Sequence, residues 1–189
     1  MRIIAGTYRG LSLQSKIPDG TRPTTDMARE AMFNTLLNLF DMENAKVLDL
    51  YAGTGAIGLE AISRGASHVT FVELGIKQFH LINENTKLLK IEKEQFQIHK
   101  RKVLDFLKHL PEETKFDFIF ADPPYKLNEY YDILEIIKEK DLLSENGIIV
   151  FEMDQAIQLV SHPSFEILKE KKYGITKFQF LVINPSLTA

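Results

Sequence analysis

Short apolar runs alternate with stretches of mixed polarity along most of the chain from residue 46 onward. A short run that is apolar at nearly every position is typical of a strand covered on both faces, and apolar residues at helical spacing are typical of an amphipathic helix. The predicted strands cover 45–50, 68–73, 96–98, 116–121 and 147–152, and the predicted helices cover 56–64, 76–89, 103–110 and 130–140. Because repeated strand-helix units build a mostly parallel sheet, the sequence predicts an α/β fold.

The C-terminal end departs from this alternation. Two further predicted strands, 165–172 and 177–183, are joined across Tyr173-Gly174, which leaves no room for a crossover helix, so they must be antiparallel. We therefore expect a Rossmann-like domain over 46–189, with a seven-stranded and mostly parallel sheet that has an antiparallel C-terminal strand.

The N-terminal end departs from the alternation as well. Residues 2–4 and 11–13 flank a turn-rich segment and predict a β-hairpin. A Thr-Thr-Asp cap at 24–26 then precedes a predicted helix over 27–40. We expect residues 1–45 to form an N-terminal extension to the main domain.

A glycine-rich loop separates the strand 45–50 from the helix that follows it. Gly53, Gly55 and Gly58 fit the pattern G-x-G-x-x-G, in which glycines let the backbone turn sharply and approach a ligand closely. Glu73 ends the next strand, where a carboxylate can accept hydrogen bonds from the two hydroxyls of a ribose. The pattern predicts a nucleotide cofactor, and taken alone it would suggest NAD.

Asp49 favours S-adenosylmethionine over NAD as the predicted cofactor. It stands at the end of the strand before the loop, where a carboxylate can bind the ammonium group of that cofactor, whereas an NAD pyrophosphate would gain nothing from it. The antiparallel C-terminal pair favours the same choice, because a dinucleotide-binding sheet normally continues with parallel strands. Asp105, after the third strand, is a candidate acceptor for the adenine amino group, with helix capping as the competing explanation.

The strand 116–121 runs directly into the sequence Asp122-Pro123-Pro124-Tyr125. Two consecutive prolines fix the backbone and remove two amide donors, so the carboxylate and the neighbouring carbonyls form a rigid set of acceptors. Such a set suits a substrate amino group, whose two N–H bonds it can hold while the nitrogen lone pair is directed at a methyl group. Tyr125 offers an aromatic face on which an unstacked base can rest.

The composition is that of a folded protein of about one domain, with 189 residues of which 44% are apolar. The absence of cysteine excludes a disulfide scaffold and cysteine-ligated zinc, and the five histidines lack ligand spacing, so we expect no metal. No apolar run has the length of a secretory signal or a membrane span, so we expect a cytoplasmic protein without membrane contact. The formal net charge of -3 argues against a nucleic-acid partner, because phosphate binding usually leaves a basic excess.

With both loops in this order, the chain is similar to class I S-adenosylmethionine-dependent methyltransferases that act on amino nitrogen. More narrowly, it resembles the bacterial methyltransferases that modify N2 of one guanine in 16S ribosomal RNA. The segments that carry the narrower resemblance are 2–6 with 8–10, 22–26 with 29–34, and 58–66. The chain departs from the family pattern at Gly75, where an acidic residue is common, at Ala5, where glycine is usual, and at Leu11 and Ser12, where basic residues are usual.

The resemblance implies a monomeric enzyme that uses S-adenosylmethionine and acts on 16S rRNA within a small-subunit particle or an assembly intermediate. The residues assigned are Asp122, Pro123 and Tyr125 for catalysis, Asp49, Tyr51, Gly53, Gly55, Glu73 and Asp105 for the cofactor, and Arg2, Arg9 and Arg22 for RNA. Four of the 26 acidic residues then have places in the site, away from the basic residues, so the net charge argues less strongly against RNA. Weak binding to bare RNA would fit a substrate that ribosomal proteins have already folded.

Three other functions stay open at this point. A DNA adenine N6 methyltransferase shares the Asp-Pro-Pro-Tyr loop, but it predicts a further recognition domain, for which the first 45 residues leave little room. An NAD-dependent oxidoreductase would use the glycine pattern alone. A non-catalytic RNA-binding module would have kept the fold without the chemistry, although the acids at 49, 73 and 122 speak against it.

Overall fold

A sheet of seven strands forms the centre of the part of the chain that the computed structural model describes, residues 1–15, 25–124, 129–158 and 160–187. The strands are β1 (Lys46–Leu50), β2 (His68–Val72), β3 (Phe96–His99), β4 (Phe116–Ala121), β5 (Leu143–Asp154), β6 (Phe165–Tyr173) and β7 (Thr176–Ile183). Their spatial order is β3-β2-β1-β4-β5-β7-β6. Strands β1 to β5 pair in parallel, and β7 lies antiparallel between β5 and β6. The predicted α/β fold with an antiparallel C-terminal end is confirmed.

Helices cover both faces of this sheet. They are α1 (Asp26–Leu36), α2 (Ala56–Ser63), α3 (Ile76–Leu88), α4 (Val103–Lys108) and α5 (Tyr130–Glu139). Helices α1, α2 and α3 pack with Phe118 and Val150 on one face, and α4 and α5 pack with Ile119 and Phe151 on the other. Because neighbouring residues of a central strand are buried on opposite faces, the strands read as continuous apolar runs. Within the described ranges, no helix is long and apolar enough to cross a membrane.

Two predicted boundaries differ from the structure by four residues, whereas the others agree to within two. Helix α1 ends at Leu36 instead of residue 40, because the Asn38 side chain bonds to the Asn34 carbonyl and the backbone continues in tight turns. Strand β5 begins at Leu143 instead of residue 147. Leu143 pairs with Phe116 ahead of an irregularity in the register, and hydrophobic periodicity carries no sign of such a pairing.

The N-terminal hairpin forms as predicted and packs against α2. Its two arms are joined by hydrogen bonds from the Ile3 amide to the Leu11 carbonyl and from the Gly10 amide to the Ile3 carbonyl, both 2.9 Å. The fully buried carboxylate of Glu60, on α2, accepts hydrogen bonds from the backbone amides of Ile4 and Ala5 at 2.8 and 3.0 Å. The hairpin is therefore held against the helix that begins at the glycine loop.

Candidate active site

The loops that follow β1 and β4 lie side by side at the carboxyl edge of the sheet. The two strands pair in parallel with Leu50 opposite Ala121, so the end of β1 lies beside Asp122, which directly follows β4. Strand β2 pairs with β1 on its other side, which brings Glu73 to the same edge. The carboxylates of Asp49, Glu73 and Asp122 therefore meet where an open parallel sheet binds its ligands.

Two glycines of the loop meet different steric demands. Gly55 is the residue before α2 and has a φ of 77°, in the left-handed region that favours glycine. Gly58 is inside α2, and a Cβ there would lie 2.3 Å from a ring carbon of Phe71 on β2. Gly55 thus permits the turn, and Gly58 permits α2 to pack closely on β2.

Asp49 is buried and uses only one of its two carboxylate oxygens. Its Oδ2 accepts a hydrogen bond from the Gly58 amide at 2.9 Å, while Oδ1 is buried and has no hydrogen-bond partner among the described residues. Burial raises the pKa of Asp49 well above its usual range, and the charges of Glu73 and Asp122 raise it further. A buried acceptor without a donor, in a cluster of negative charge, fits the ammonium group of S-adenosylmethionine.

Glu73 is held in place by two backbone amides. Its Oε2 accepts from the Gly53 amide at 2.9 Å, and its Oε1 accepts from the Gly75 amide at 2.7 Å. The carboxylate is therefore oriented before any ligand binds, and its remaining lone pairs can accept two ribose hydroxyls. Gly75, one of the departures from the family pattern, contributes to this site through its backbone.

Asp122 is half-buried at the start of the proline loop, and burial raises its pKa to about 7. Pro123 beside it is buried and has no amide hydrogen to donate. At neutral pH this carboxyl therefore exchanges a proton readily. Tyr125, the third residue assigned to catalysis, lies outside the described residues.

Tyr51 joins the glycine loop to the helix after the proline loop. Its φ is 57°, which is uncommon for a residue with a side chain, and its hydroxyl donates a hydrogen bond to the carboxylate of Glu129. Burial, followed by the bond to Glu129, raises the pKa of the Tyr51 hydroxyl. Glu129 was not predicted from the sequence, because the contact spans 78 positions and no local pattern indicates it.

The remaining assigned residues lie at the surface or outside the described ranges. Asp105 is exposed in the first turn of α4, so its role toward adenine stays a prediction. Arg2 and Arg9 are exposed on the hairpin, and Arg22 falls outside the described residues. Within the described ranges, no three His, Cys, Asp or Glu residues are grouped so that they could hold a metal ion.

Asn85, on α3, belongs to the surroundings of the site although sequence reasoning missed it. It is fully buried, and its side-chain amide exchanges two hydrogen bonds with the backbone of Gln14 while also donating to the Thr54 carbonyl. The available signal was its place three residues after Ile82, on the buried face of the helix. A polar residue at such a position needs a partner, but its identity follows only from the fold.

A glycine loop, a carboxylate oriented by two backbone amides and a proline loop on this sheet order are features of a class I methyltransferase, the class whose methyl donor is S-adenosylmethionine. The chain belongs to the family described as "Conserved hypothetical protein 95", whose model matches residues 1–182. Relatives that align over most of the chain are named methyltransferases, which decides the choice of cofactor for S-adenosylmethionine and against NAD.

Several similar proteins carry methyltransferase names. The "Ribosomal RNA small subunit methyltransferase D" of Haemophilus influenzae is 35% identical over 179 residues, which are 95% of this chain and 92% of that protein. The Escherichia coli protein of the same name is 30% identical over 92% of this chain and 85% of its own length. A solved structure, "Putative methyltransferase yhhF from Escherichia coli", is 29% identical with a TM-score of 0.84 and covers 97% of this chain and 98% of its own.

Proposed function

We propose that this protein transfers the methyl group of S-adenosylmethionine to the exocyclic N2 amine of a guanine in small-subunit ribosomal RNA. The observation that supports the proposal is the pairing of β1 with β4, which brings Asp122 and Pro123 to the sheet edge near Asp49, whose Oδ1 has no hydrogen-bond partner among the described residues. Relatives that align over most of the chain are named for this class of RNA. No described feature favours a DNA adenine substrate over this one.

The chain's own residues hold the cofactor at both ends. The buried Oδ1 of Asp49 would accept from its ammonium group, and the carboxylate of Glu73, fixed by two amides, would accept from its ribose hydroxyls. Gly53 and Gly55 let the backbone come close to it. Bound there, S-adenosylmethionine would supply an electrophilic methyl carbon to the amine nitrogen, and its sulfur would keep the electron pair of the broken bond.

Asp122 and the Pro123 carbonyl act on the amine. They accept its two N–H hydrogens and so direct the nitrogen lone pair, which is otherwise conjugated with the ring, toward the methyl group. The nitrogen gains positive charge as its new bond forms, and the negative carboxylate stabilises that charge. One N–H proton then leaves to Asp122, whose pKa of about 7 suits it to accept and release a proton. In this proposal Tyr125 stacks on the base, which is extruded or already unpaired.

The proposal extends to the partner. The exposed Arg2 and Arg9, together with Arg22, would contact RNA phosphates. The overall charge of -3 supports a substrate already folded within a ribosomal particle or assembly intermediate, since tight binding to bare RNA needs a larger basic excess. A monomer acting in the cytoplasm is part of the same proposal.

Asp122→Ala tests the assigned chemistry. Methyl transfer to small-subunit particles should fall about 100- to 1,000-fold, as expected when one preorganised contact to the developing charge is lost. S-adenosylmethionine binding, followed by calorimetry, should persist because Asp49 and Glu73 are intact. Asp132→Ala, at an exposed position of α5, is the matched control and should keep both properties. Retained transfer in Asp122→Ala would refute the role of this carboxyl.

A further inference from the structure

The edge strand β6 carries three lysines in its second half, at positions 169, 171 and 172. Residues directly opposite each other in an antiparallel pair have their side chains on the same face of the sheet. Lys169 lies opposite Phe180 and Lys171 lies opposite Phe178, and both phenylalanines are buried in the core cluster beneath α1, α2 and α3. Lys169 and Lys171 therefore lie on that face of the sheet.

The third lysine lies on the opposite face and has a partner there. Lys172 follows Lys171, so strand alternation turns its side chain to the other face, where its ammonium group pairs with the Glu170 carboxylate at 3.1 Å. Lys169 and Lys171 form no ion pair with any residue in the described ranges. Since Lys169 is exposed and Lys171 is half-buried, this face carries two accessible positive charges without a negative partner.

The two lysines lie near the same edge of the sheet as the active site. Strand β7 is antiparallel to both β5 and β6, so β6 runs in the direction of β5 and its last residue, Tyr173, lies at the carboxyl edge. Lys171 is two residues from that end. Strand β6 is three strands away from β4, which places it about 14 Å from the strand that Asp122 follows. A few nucleotides of RNA can span this distance.

We propose that Lys169 and Lys171 bind phosphates of the ribosomal RNA that flanks the target guanine. The inference rests on the proposed function and extends it by naming a second RNA-contact surface. Because α2 packs on β1 and β2, the hairpin with Arg2 and Arg9 lies on the other side of β4 from this surface. Alternate residues of a strand are about 7 Å apart, a spacing similar to that of successive phosphates, so one RNA strand can contact both ammonium groups. Such contacts fix the position of the RNA on both sides of the site without reading its sequence.

Lysines on an edge strand have another known use, which is to oppose pairing with the edge of a second sheet. For that purpose the face on which a lysine lies does not matter, so Lys172 would serve as well as Lys171. RNA contact instead requires the lysines of one face and predicts that their removal changes the salt dependence of binding. The two faces of β6 therefore give a matched comparison within one strand.

The test measures methyl transfer by a variant that carries both Lys169→Gln and Lys171→Gln. The substrates are small-subunit particles from cells that lack this protein, and KM and kcat are measured over a series of salt concentrations at constant magnesium. We expect KM to rise roughly 2- to 30-fold, the range for two exposed charge pairs, while kcat stays unchanged. The slope of log KM against log salt concentration should decrease by about 1.4, because each phosphate contact to a single strand contributes about 0.7.

Single substitutions at neighbouring positions supply the controls. Lys171→Gln should lower the salt slope by about 0.7, whereas Lys172→Gln removes the same charge from the other face and should leave both KM and the slope at the wild-type values. Lys171→Arg keeps the charge and should retain the wild-type slope. Calorimetry with S-adenosylmethionine shows whether each variant is folded, since none of these lysines contacts the cofactor site.

A measurement on the wild-type protein does not depend on any variant. Lysine acetylation, followed by mass spectrometry, is compared between the free protein and the protein bound to particles. Lys169 and Lys171 should be protected in the bound protein, while Lys172 stays reactive. Cross-linking of the same complex then identifies what covers the two protected lysines, and we expect RNA.

The outcomes separate this inference from the proposed function. An unchanged salt slope in the double variant would overturn the inference, as would an equal decrease in Lys172→Gln or a ribosomal protein cross-linked to Lys169 and Lys171. If the double variant fails to bind S-adenosylmethionine, acetylation of the wild-type protein decides, and equal reactivity of these two lysines in the free and bound protein would overturn the inference. Absence of transfer from the wild-type protein to the particles would instead contradict the proposed function.

Discussion

The side-chain amide of Asn85, on α3, donates a hydrogen bond to the carbonyl of Thr54, in the glycine loop, at 3.1 Å. The same amide group accepts from the Gln14 amide at 2.7 Å and donates to the Gln14 carbonyl at 3.1 Å. One buried side chain therefore joins the cofactor loop to the N-terminal extension. The position of the extension and the shape of the cofactor site are expected to change together.

Asn85→Ala should destabilise the protein and weaken cofactor binding. The substitution leaves backbone groups of Gln14 and Thr54 without their partner, which costs about 1–3 kcal/mol for a buried group. Urea denaturation measures the stability, and calorimetry with S-adenosylhomocysteine measures the binding. Asn83→Ala on the same helix is the control, because among the described residues the Asn83 side-chain amide bonds only to the Phe79 carbonyl one turn earlier. Equal effects of the two substitutions would contradict the bridging role.

Gly6→Ala and Gly10→Ala should differ sharply although both glycines have left-handed backbone angles, with φ of 81° and 83°. A Cβ on Gly6 would lie 1.6 Å from the Ser63 carbonyl oxygen, whereas a Cβ on Gly10 would meet nothing within 4 Å. We expect Gly10→Ala to cost about 1–2 kcal/mol from backbone strain alone. Gly6→Ala should cost roughly 3 kcal/mol or more, because the hairpin must lift from α2. Thermal unfolding of the pair measures the difference, and similar losses would show that the hairpin is not held at this point.

Asp122→Asn should change how stability depends on pH. The folded-state pKa of Asp122, about 7, exceeds its ordinary value of 3.8, so between these values the folded state binds more protons than the unfolded state. This carboxyl therefore lowers the free energy of unfolding as pH rises from about 4 to 7. The variant lacks the ionising group, so its stability relative to wild type should be greater at pH 8 than at pH 5. Urea denaturation at both values measures the difference, with Asp132→Asn as the control; a gain that is the same at both would contradict the raised pKa.

Glu73→Gln should reduce cofactor affinity while sparing the fold of the sheet. The amide keeps one acceptor oxygen, but it places an NH2 group against one of the two backbone amides that the carboxylate now accepts from, those of Gly53 and Gly75. Loss of a hydrogen bond to a charged acceptor is worth about 1.5–3 kcal/mol, so the Kd for S-adenosylmethionine should rise roughly 10- to 100-fold. Glu84→Gln on the exposed side of α3 is the control. An unchanged Kd would remove Glu73 from the cofactor site.

The features that could be predicted from the sequence are those in which local pattern and chemistry coincide. The strand and helix order, the turn at Gly55 and the acceptors at Asp122 all follow from residues that stand next to one another in the chain. The convergence of Asp49, Glu73 and Asp122 follows from the parallel sheet, since the carboxyl ends of its strands share one edge.

The contacts that could not be predicted join distant parts of the chain through packing. The hydrogen bonds between Asn85 and Gln14 and between Tyr51 and Glu129 span 71 and 78 positions in the chain. Each depends on how a helix packs on the sheet. Glu60 looks like an ordinary helix surface acid in the sequence, but in the structure it is fully buried under the hairpin. Such hydrogen bonds between distant residues can be identified only once the tertiary fold is known.

Methyl transfer to small-subunit ribosomal particles from cells that lack this protein, followed by mapping of the modified base, tests the central claim most directly. The proposed function predicts that the wild-type protein and S-adenosylmethionine add one methyl group at N2 of a single guanine in 16S rRNA. Modification of another atom or another class of nucleic acid, or no transfer to these particles or to their assembly intermediates, would contradict it.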